Sequence, residues 1–574
     1  MKKKSIFLFL VLFSVMVNNA FSIEIPEIQR IQQWTDTVGL YEKFEISFIV
    51  NNDNKYINVF DPDEVNITSV FTSPTGKKWI VPAFYSNSWR IRFSPDVAGS
   101  WSYIITVKDK GGETSSESRS FTAIKSPKKG HIKVADNKRY LIHSDNSNFY
   151  GVGLWYNDGY SAFNRGNIKP ETLDELKSLG VNFISTFITP IETIASGIGR
   201  YDQNICGRLD ELLQMLEDRD MLLSLNIWFH SFLASNANWR TNPYQQITEA
   251  KDFFKSDIGW KYQEKLYRYF IARWGYSRSL ALWFIVDEIN DTDGWWTRDY
   301  AAAAAWGKKV HDYFKTNDPW NRPTTGTRAG GIKEYWDDGY KIFDIAAREI
   351  YESQGWPNNR TSTIDSVAVH PLTSSYRNYA EENLKLWNLY GKPVINGETG
   401  WDHTFYEPSM PGYLAMYHNA MWATMATGSA MTPFWWSYSD YLFLNDNIVS
   451  SRLTCIRRFT ERIPFSKLTN LAPAKIKCLR GDAYAMQSNE FIYGWVVNSV
   501  SDVAGEKVTI SSLKKGKYNL KIYHTWRGQF LTDTEVNCID GTITFDPPYM
   551  RMGGHGEHAN YIGHDMAFVL EYLP

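Results

Sequence analysis

The sequence predicts an α/β protein, a (β/α)8 barrel flanked by an N-terminal and a C-terminal β-sandwich. Three observations carry this. Between about residues 128 and 463, apolar runs of strand length alternate with amphipathic stretches of helical period. On either side, short runs alternate apolar and polar residues with no helical stretch between them. Eight strand candidates fall in the middle region, a number that favours closure into a barrel. No glycine-rich fingerprint follows the first of them, as an open dinucleotide-binding sheet requires.

Residues 1–22 read as a secretory leader. Lys2, Lys3 and Lys4 form a positive start, Ile6 to Val17 is nearly continuous apolar sequence, and Ala20-Phe21-Ser22 offers small residues at a cleavage site. The apolar run is too short to span a bilayer and has no stop-transfer flank, so the mature chain is expected to be exported, periplasmic or extracellular. A formal net charge of −2 leaves no basic surplus for nucleic acid or an anionic membrane. The four cysteines, Cys206, Cys455, Cys478 and Cys538, are too few for a disulfide framework. Cys478 and Cys538 are open to either reading, paired with each other or buried as free thiols. Aromatic residues make up 16% of the chain, with 23 Trp, a content that suits both core packing and stacking on the apolar faces of sugar rings.

From 23 to 127, the runs FEISFIV, VNITSVF, KKWIVPAF, WRIRFSP, GSWSYIITV and SRSFTAI read as strands, separated by turn signals such as NNDNK, SPTGK and DKGGE. No catalytic constellation appears there, and Trp89 and Trp101 are expected in the core rather than on a sugar. From 128 to 463 the rhythm changes. The strand candidates are YGVGLWY, VNFISTFI, MLLSLNIWFH, LALWFIVDEI, RPTTGTR, IFDIAAREIYE, KPVINGETG and AMTPFWW. Helical stretches follow seven of them, beginning with KPETLDELKSLG, which carries Pro170 at its start and Gly180 at its end. The helix after the sixth strand is expected near Glu381 to Leu389, and the last around Val449 to Glu461. From 464 to 574 the chain returns to strands: AYAMQS, FIYGWVVN, KVTISSL, YNLKIYHTW, GTITFD and MAFVLEYLP.

Barrels place their chemistry at the carboxyl ends of the strands. Strand 4 ends in Asp287-Glu288 and strand 7 in Glu398, while strands 3, 6 and 8 end in His230, Tyr351 and Trp435-Trp436. Two carboxyl groups at one barrel mouth are what glycoside hydrolysis needs. One protonates the leaving oxygen and the other attacks or stabilises the anomeric carbon. Nearby aromatic rings lower the local dielectric and so raise the pKa of the acid.

WFIVDEIND and KPVINGETG, with Glu398 placed 110 residues after Glu288, resemble the signature of clan A glycoside hydrolases over roughly residues 130–460. Tyr351 with Glu352, and the Trp435-Trp436 pair, resemble that clan as well. The flanking sandwiches resemble those of exported polysaccharide-utilisation enzymes. The resemblance implies a retaining mechanism with Glu288 as general acid/base and Glu398 as nucleophile. Asp287, Tyr351, Trp435, Trp436, Trp155, Trp228 and His230, at or near the strand ends, are expected to contact substrate. The expected partner is a polysaccharide or oligosaccharide, with no cofactor and no metal. The sequence departs from the clan at three points. Asp287 stands where Asn usually precedes the acid, Glu349-Ile350-Tyr351 stands for His-x-Tyr, and VNFISTFITP lacks the usual arginine, for which Arg348 or Arg328 would substitute. Two other readings compete. One is a non-catalytic glycan-binding protein on a degenerate barrel. The other is a metal-dependent hydrolase resting on MGGHGEHANYIGHD, where His555, His558, His564 and Asp565 are metal-ligand types in a glycine-rich run.

Overall fold

The computed structural model describes residues 24–156, 168–187, 190–329, 335–351, 364–400, 413–435, 447–551 and 563–574. Residues 1–22, read above as a leader, lie outside the described residues together with Trp436, Trp401, His555 and His558, as does the side chain of Tyr351.

Two sheets form the N-terminal region. One has four strands, and the other has six, including all of Val65–Thr72 and Gly99–Asp109. Strand Phe44–Val50 buries Phe44, Ile46, Phe48 and Val50 at every second position, the period of a sheet with one covered face. Those side chains meet Phe71, Trp101, Tyr103 and Phe121 of the other sheet in a single core. Trp89 and Trp101 are both buried in it, as expected. Tyr276 and Trp320, from the middle of the chain, complete the same core. Arg92 extends from the sheet to Asp210, 2.7 Å away, and to the carbonyl of Arg273, which fixes this region to the middle segment.

In the middle segment, strands β1 (Gly153–Trp155), β2 (Phe183–Phe187), β3 (Leu222–Phe229), β4 (Leu280–Asp287) and β5 (Thr324–Thr325) form one parallel sheet in chain order. Strands β6 (Ala346–Tyr351) and β7 (Val394–Gly400) pair in parallel. The Ile345 N–H donates to the Thr324 carbonyl, joining β5 to β6. Residues 430–435 form bridges rather than a full strand, parallel both to β7, through Thr399 and Trp435, and to β1, through Leu154 and Trp435. Pro433 explains the irregularity, because it has no N–H to give to a ladder. Phe183, Phe187, Phe229, Leu282, Phe284, Ala347, Ile395 and Phe434 share one apolar cluster enclosed by these strands.

Helices α1 (Pro170–Ser178), α2 (Gln203–Arg219), α3 (Asp257–Trp274), α4 (Tyr300–Asn317), α5 (Asp337–Ile342), α6 (Ile364–Tyr390), α7 (Tyr413–Ala426) and α8 (Asn447–Thr460) occupy the connections. Asp202 caps α2 by accepting from the N–H groups of Asn204 and Ile205, which are otherwise unpaired in a first turn. Two boundaries differ from expectation. Ile342 closes a short helix instead of opening strand 6. Helix α6 has 27 residues and begins at Ile364, well before Glu381, with Pro371 inside it. A proline within a helical pattern reads locally as a stop, which is why the sequence places the helix start later.

The C-terminal region has a six-stranded and a three-stranded sheet around a second core that includes Val496, Ile510, Ile522 and Phe568. Strand Gln529–Cys538 was not expected from the sequence. It lies at the edge of its sheet and is mostly exposed, so only a few apolar residues, such as Phe530 and Val536, mark it in the sequence. All four cysteines are free thiols, which settles the open question about Cys478 and Cys538 against a bridge.

Candidate active site

Four carboxyl groups gather where β4, β6 and β7 end. In a regular strand, Asp287 and Glu288 would point to opposite faces. Strand β4 stops at Asp287, and Glu288 takes the left-handed conformation, φ 46° and ψ 58°, which turns its side chain back beside its neighbour. A non-glycine residue is held there only when its surroundings supply compensating contacts. One is the Glu288 N–H, which donates to Thr327 Oγ1 at 3.0 Å. Thr327 Oγ1 has one proton of its own, and it donates this to Glu349 Oε1.

Glu349 and Glu398 are paired positions on β6 and β7. The register slips between them. Arg348 pairs with Asn396 and Glu349 with Glu398, so Gly397 has no partner. A Cβ at Gly397 would come within 3.1 Å of the Thr327 methyl, which explains the glycine. The slip sends Arg348 outward to Glu382 on α6, at 2.9 Å, while Glu349 and Glu398 face inward. Arg348 is therefore committed to a helix and does not take the place of the absent strand 2 arginine.

One carboxyl oxygen from each of Asp287, Glu349 and Glu398 lies within 4.8 Å of the others, and all three residues are buried. His230 Nδ1 is 3.2 Å from Glu288 Oε2 and 3.5 Å from Asp287 Oδ2. The Glu288 side chain keeps 15% of its exposure, against 1% for Asp287. Burial pushes all four carboxyls well above the ordinary range. Contact with Glu288 adds to the rise of Asp287, and Glu349 adds to that of Glu288 and Glu398. Asp291 is raised by burial too, opposed by His230 and Arg328. Carboxyls this close titrate as a group and not one by one. Its geometry would also admit a hard cation, at Asp287, Glu349 and Glu398 or at His230, Glu288 and Asp291.

The predicted aromatic contacts fare differently. Trp155 is 1% exposed and lies beneath Glu398, its indole N–H donating to the Gly397 carbonyl at 2.6 Å. It braces the strand and presents no open face. Trp228 points away from the site and donates to Tyr267 of α3 at 2.8 Å. A change of facing near the end of β3 sends Trp228 to the helices and Phe229 to the enclosed cluster. Trp435 is 1% exposed and packs edge-on against Tyr417 of α7, in the helix layer. Trp228 and Trp435 are thus packing residues, a correction to their expected contact with substrate. Trp296, just beyond Glu288 in the chain, is 48% exposed. Asp565 is taken up by His418, Trp495 and Trp526, all hydrogen-bonded to its carboxylate, which removes it from the ligand set read in the histidine run.

Sequence reasoning noticed Glu349 only as a departure from a motif. A signal was present, because Glu349 stands two residues before Tyr351 and so shares its face of the strand. Thr327 carried no comparable mark.

Residues 37–108 match a family model described as a domain of unknown function, DUF5060. No curated protein matches the chain. Among solved structures, a chain from Bacteroides vulgatus ATCC 8482, provisionally described as a glycoside hydrolase, superposes with a TM-score of 0.61 at 17% identity. The match covers 94% of this chain and 100% of that one, so the two share a fold over nearly their whole length. The endo-1,4-β-D-mannanase of Thermotoga petrophila RKU-1 is 16% identical, with a TM-score of 0.41 over 55% of this chain and 100% of that one. The exo-β-1,4-mannosidase Op5Man5 of Opitutaceae bacterium strain TAV5 is 16% identical, with a TM-score of 0.43 over 56% of this chain and 58% of that one.

Proposed function

We propose that this chain is an exported, retaining glycoside hydrolase of polysaccharides or oligosaccharides. In this reading the parallel strands and their connecting helices form a (β/α)8 barrel over residues 128–463, between sandwiches at 23–127 and 464–574. Glu288 is the general acid/base and Glu398 the nucleophile. The observation that carries it is the buried carboxyl group formed at the ends of β4, β6 and β7, in which Glu288 keeps a path to solvent.

The chemistry follows from the electrostatics. A carboxyl raised by burial keeps its proton near neutral pH, as a general acid must. Glu398 must instead carry charge to attack. Burial raises it first and repulsion from Glu349, Asp287 and Glu288 adds to that, so each neighbour that holds a proton removes only its own share. The ionised Glu398 attacks the anomeric carbon while Glu288 protonates the leaving oxygen. Glu288 then takes a proton from the water that releases the sugar.

Azide separates the two roles. The mature protein is first screened on aryl glycosides and polysaccharides to find a substrate. With a dinitrophenyl glycoside, Glu288→Ala still completes the first step, because that leaving group needs no proton, and the glycosyl-enzyme accumulates. Azide then restores turnover and yields the glycosyl azide of retained configuration. With Glu398→Gln it yields only the inverted product. The opposite pair of products exchanges the roles, and undiminished activity of both variants on the polysaccharide rejects the site.

A further inference from the structure

Glu349 is neither the acid nor the nucleophile, yet it is buried beside Asp287 and Glu398 and bonded to Thr327. It lies 1% exposed between β4 and β7, with Oε1 held by the Thr327 hydroxyl. As ionised groups, Glu349 and Asp287 would present Oε2 and Oδ1 as buried acceptors with no donor. An unpaired buried carboxylate oxygen is costly, and one proton between the two supplies the missing hydrogen bond.

We propose that Glu349 is a positioning residue for Glu288, bridging it to Asp287 as a neutral carboxylic acid that accepts from Glu288 and Thr327 and donates to Asp287. This rests on the reading of Glu288 as the acid. The electrostatics agree with protons held in the cluster: burial raises Asp287, Glu288 and Glu349 well above the ordinary carboxylate range. The other groups facing the bridge are Glu398 on β7, Asp291 and His230 beside Glu288, and Tyr340 on α5. The bridge explains two departures in the sequence at once. An acid at 287 and an acid at 349 each stand where the resemblance expects another residue, and each satisfies the other.

Glutamine is the test, because its amide reproduces the neutral acid: its oxygen accepts and its NH2 donates. We expect Glu349→Gln to keep kcat/KM within about threefold of the parent. Glu349→Ala should lose about 100-fold in kcat with KM little changed, the loss that follows a misplaced catalytic group. The alkaline limb of kcat/KM reports the proton on Glu288. If Glu349 is neutral in the parent, that limb stays in place in Glu349→Gln. If it is ionised, removing its charge lowers the limb by about a unit or more, and the proposal falls. Glu349→Gln as inactive as Glu349→Ala, full activity of Glu349→Ala, or loss of parent activity in a chelator each overturn it as well. Infrared difference spectra of parent and Glu349→Gln at pH 7 need no substrate. Loss of a neutral carboxylic acid band supports the bridge even if the glycosidase reading fails, and its absence overturns the bridge even if that reading holds.

Discussion

At the scale of single residues, the site depends on one hydroxyl. Thr327 accepts from the Glu288 backbone and donates to Glu349, so it fixes both a strained turn and the carboxyl behind it. Thr327→Val keeps the shape and removes both bonds, leaving a buried N–H without an acceptor at a cost of about 1–3 kcal/mol. Thermal unfolding should register that loss, and kcat should fall by about 10- to 100-fold as Glu288 drifts. An unchanged kcat would remove Thr327 from the scaffold. The raised carboxyls also make stability depend on pH in a definite direction. A group whose folded pKa lies above its unfolded value binds protons more tightly when folded, so its contribution is complete below the unfolded pKa and is lost as pH rises toward the folded one. Glu349 is such a group. Glu349→Gln should therefore match the parent Tm near pH 4 and exceed it increasingly toward pH 9. A gain that shrinks with rising pH would show that Glu349 is charged in the folded protein.

At the scale of elements, two irregularities aim the carboxyls: the left-handed turn after β4 and the register slip at Gly397. Gly397→Ala should cost about 1–3 kcal/mol by overpacking against Thr327 and should displace Glu398. Trp155→Phe removes the brace on the Gly397 carbonyl and should cost about 1 kcal/mol. Denaturant unfolding of the two variants checks both values. These irregularities also mark where the sequence stops being readable. Phe44–Val50 is legible from its alternating burial and Leu280–Asp287 from its continuous, fully buried run. Glu288 and Glu398 were legible because they end such runs beside glycine or acidic residues. Trp228 was not, since a single change of facing within β3 moves a ring from one face to the other, and composition carries no trace of it. Glu349 was hidden for a related reason. The partners that give it meaning come from elsewhere in the chain, Asp287 from the end of β4 and Thr327 from the segment after β5.

At the scale of the whole molecule, the terminal regions are joined to the middle through buried polar groups as well as through apolar surface. Arg92 reaches Asp210, which also receives Arg273 at 2.6 Å. At the other end, the described side chains of α7 are buried, and the C-terminal sheet covers part of the helix. Within that contact Asp565 accepts from Trp495 and Trp526 at 2.7 Å each and pairs with His418 of α7 at 2.9 Å. His418 is lowered, chiefly by burial, and stays neutral at pH 7, so the charge rests on Asp565, whose own pKa is lowered by His418 and its hydrogen bonds. The sign is opposite to that of the carboxyl cluster. A lowered acid stabilises the folded state above its unfolded pKa and loses that contribution as pH falls through the folded one. Asp565→Ala should therefore strand three buried donors or ring nitrogens and cost about 3 kcal/mol or more at pH 7. The penalty should shrink in acid. Helix α7 also supports residues 430–435 through Tyr417 against Trp435, so the loss should spread inward. We expect activity and tryptophan fluorescence to disappear in one transition, at a lower temperature than in the parent. If the C-terminal region of Asp565→Ala melts first while activity survives, the contact is a local one and the middle segment stands without it.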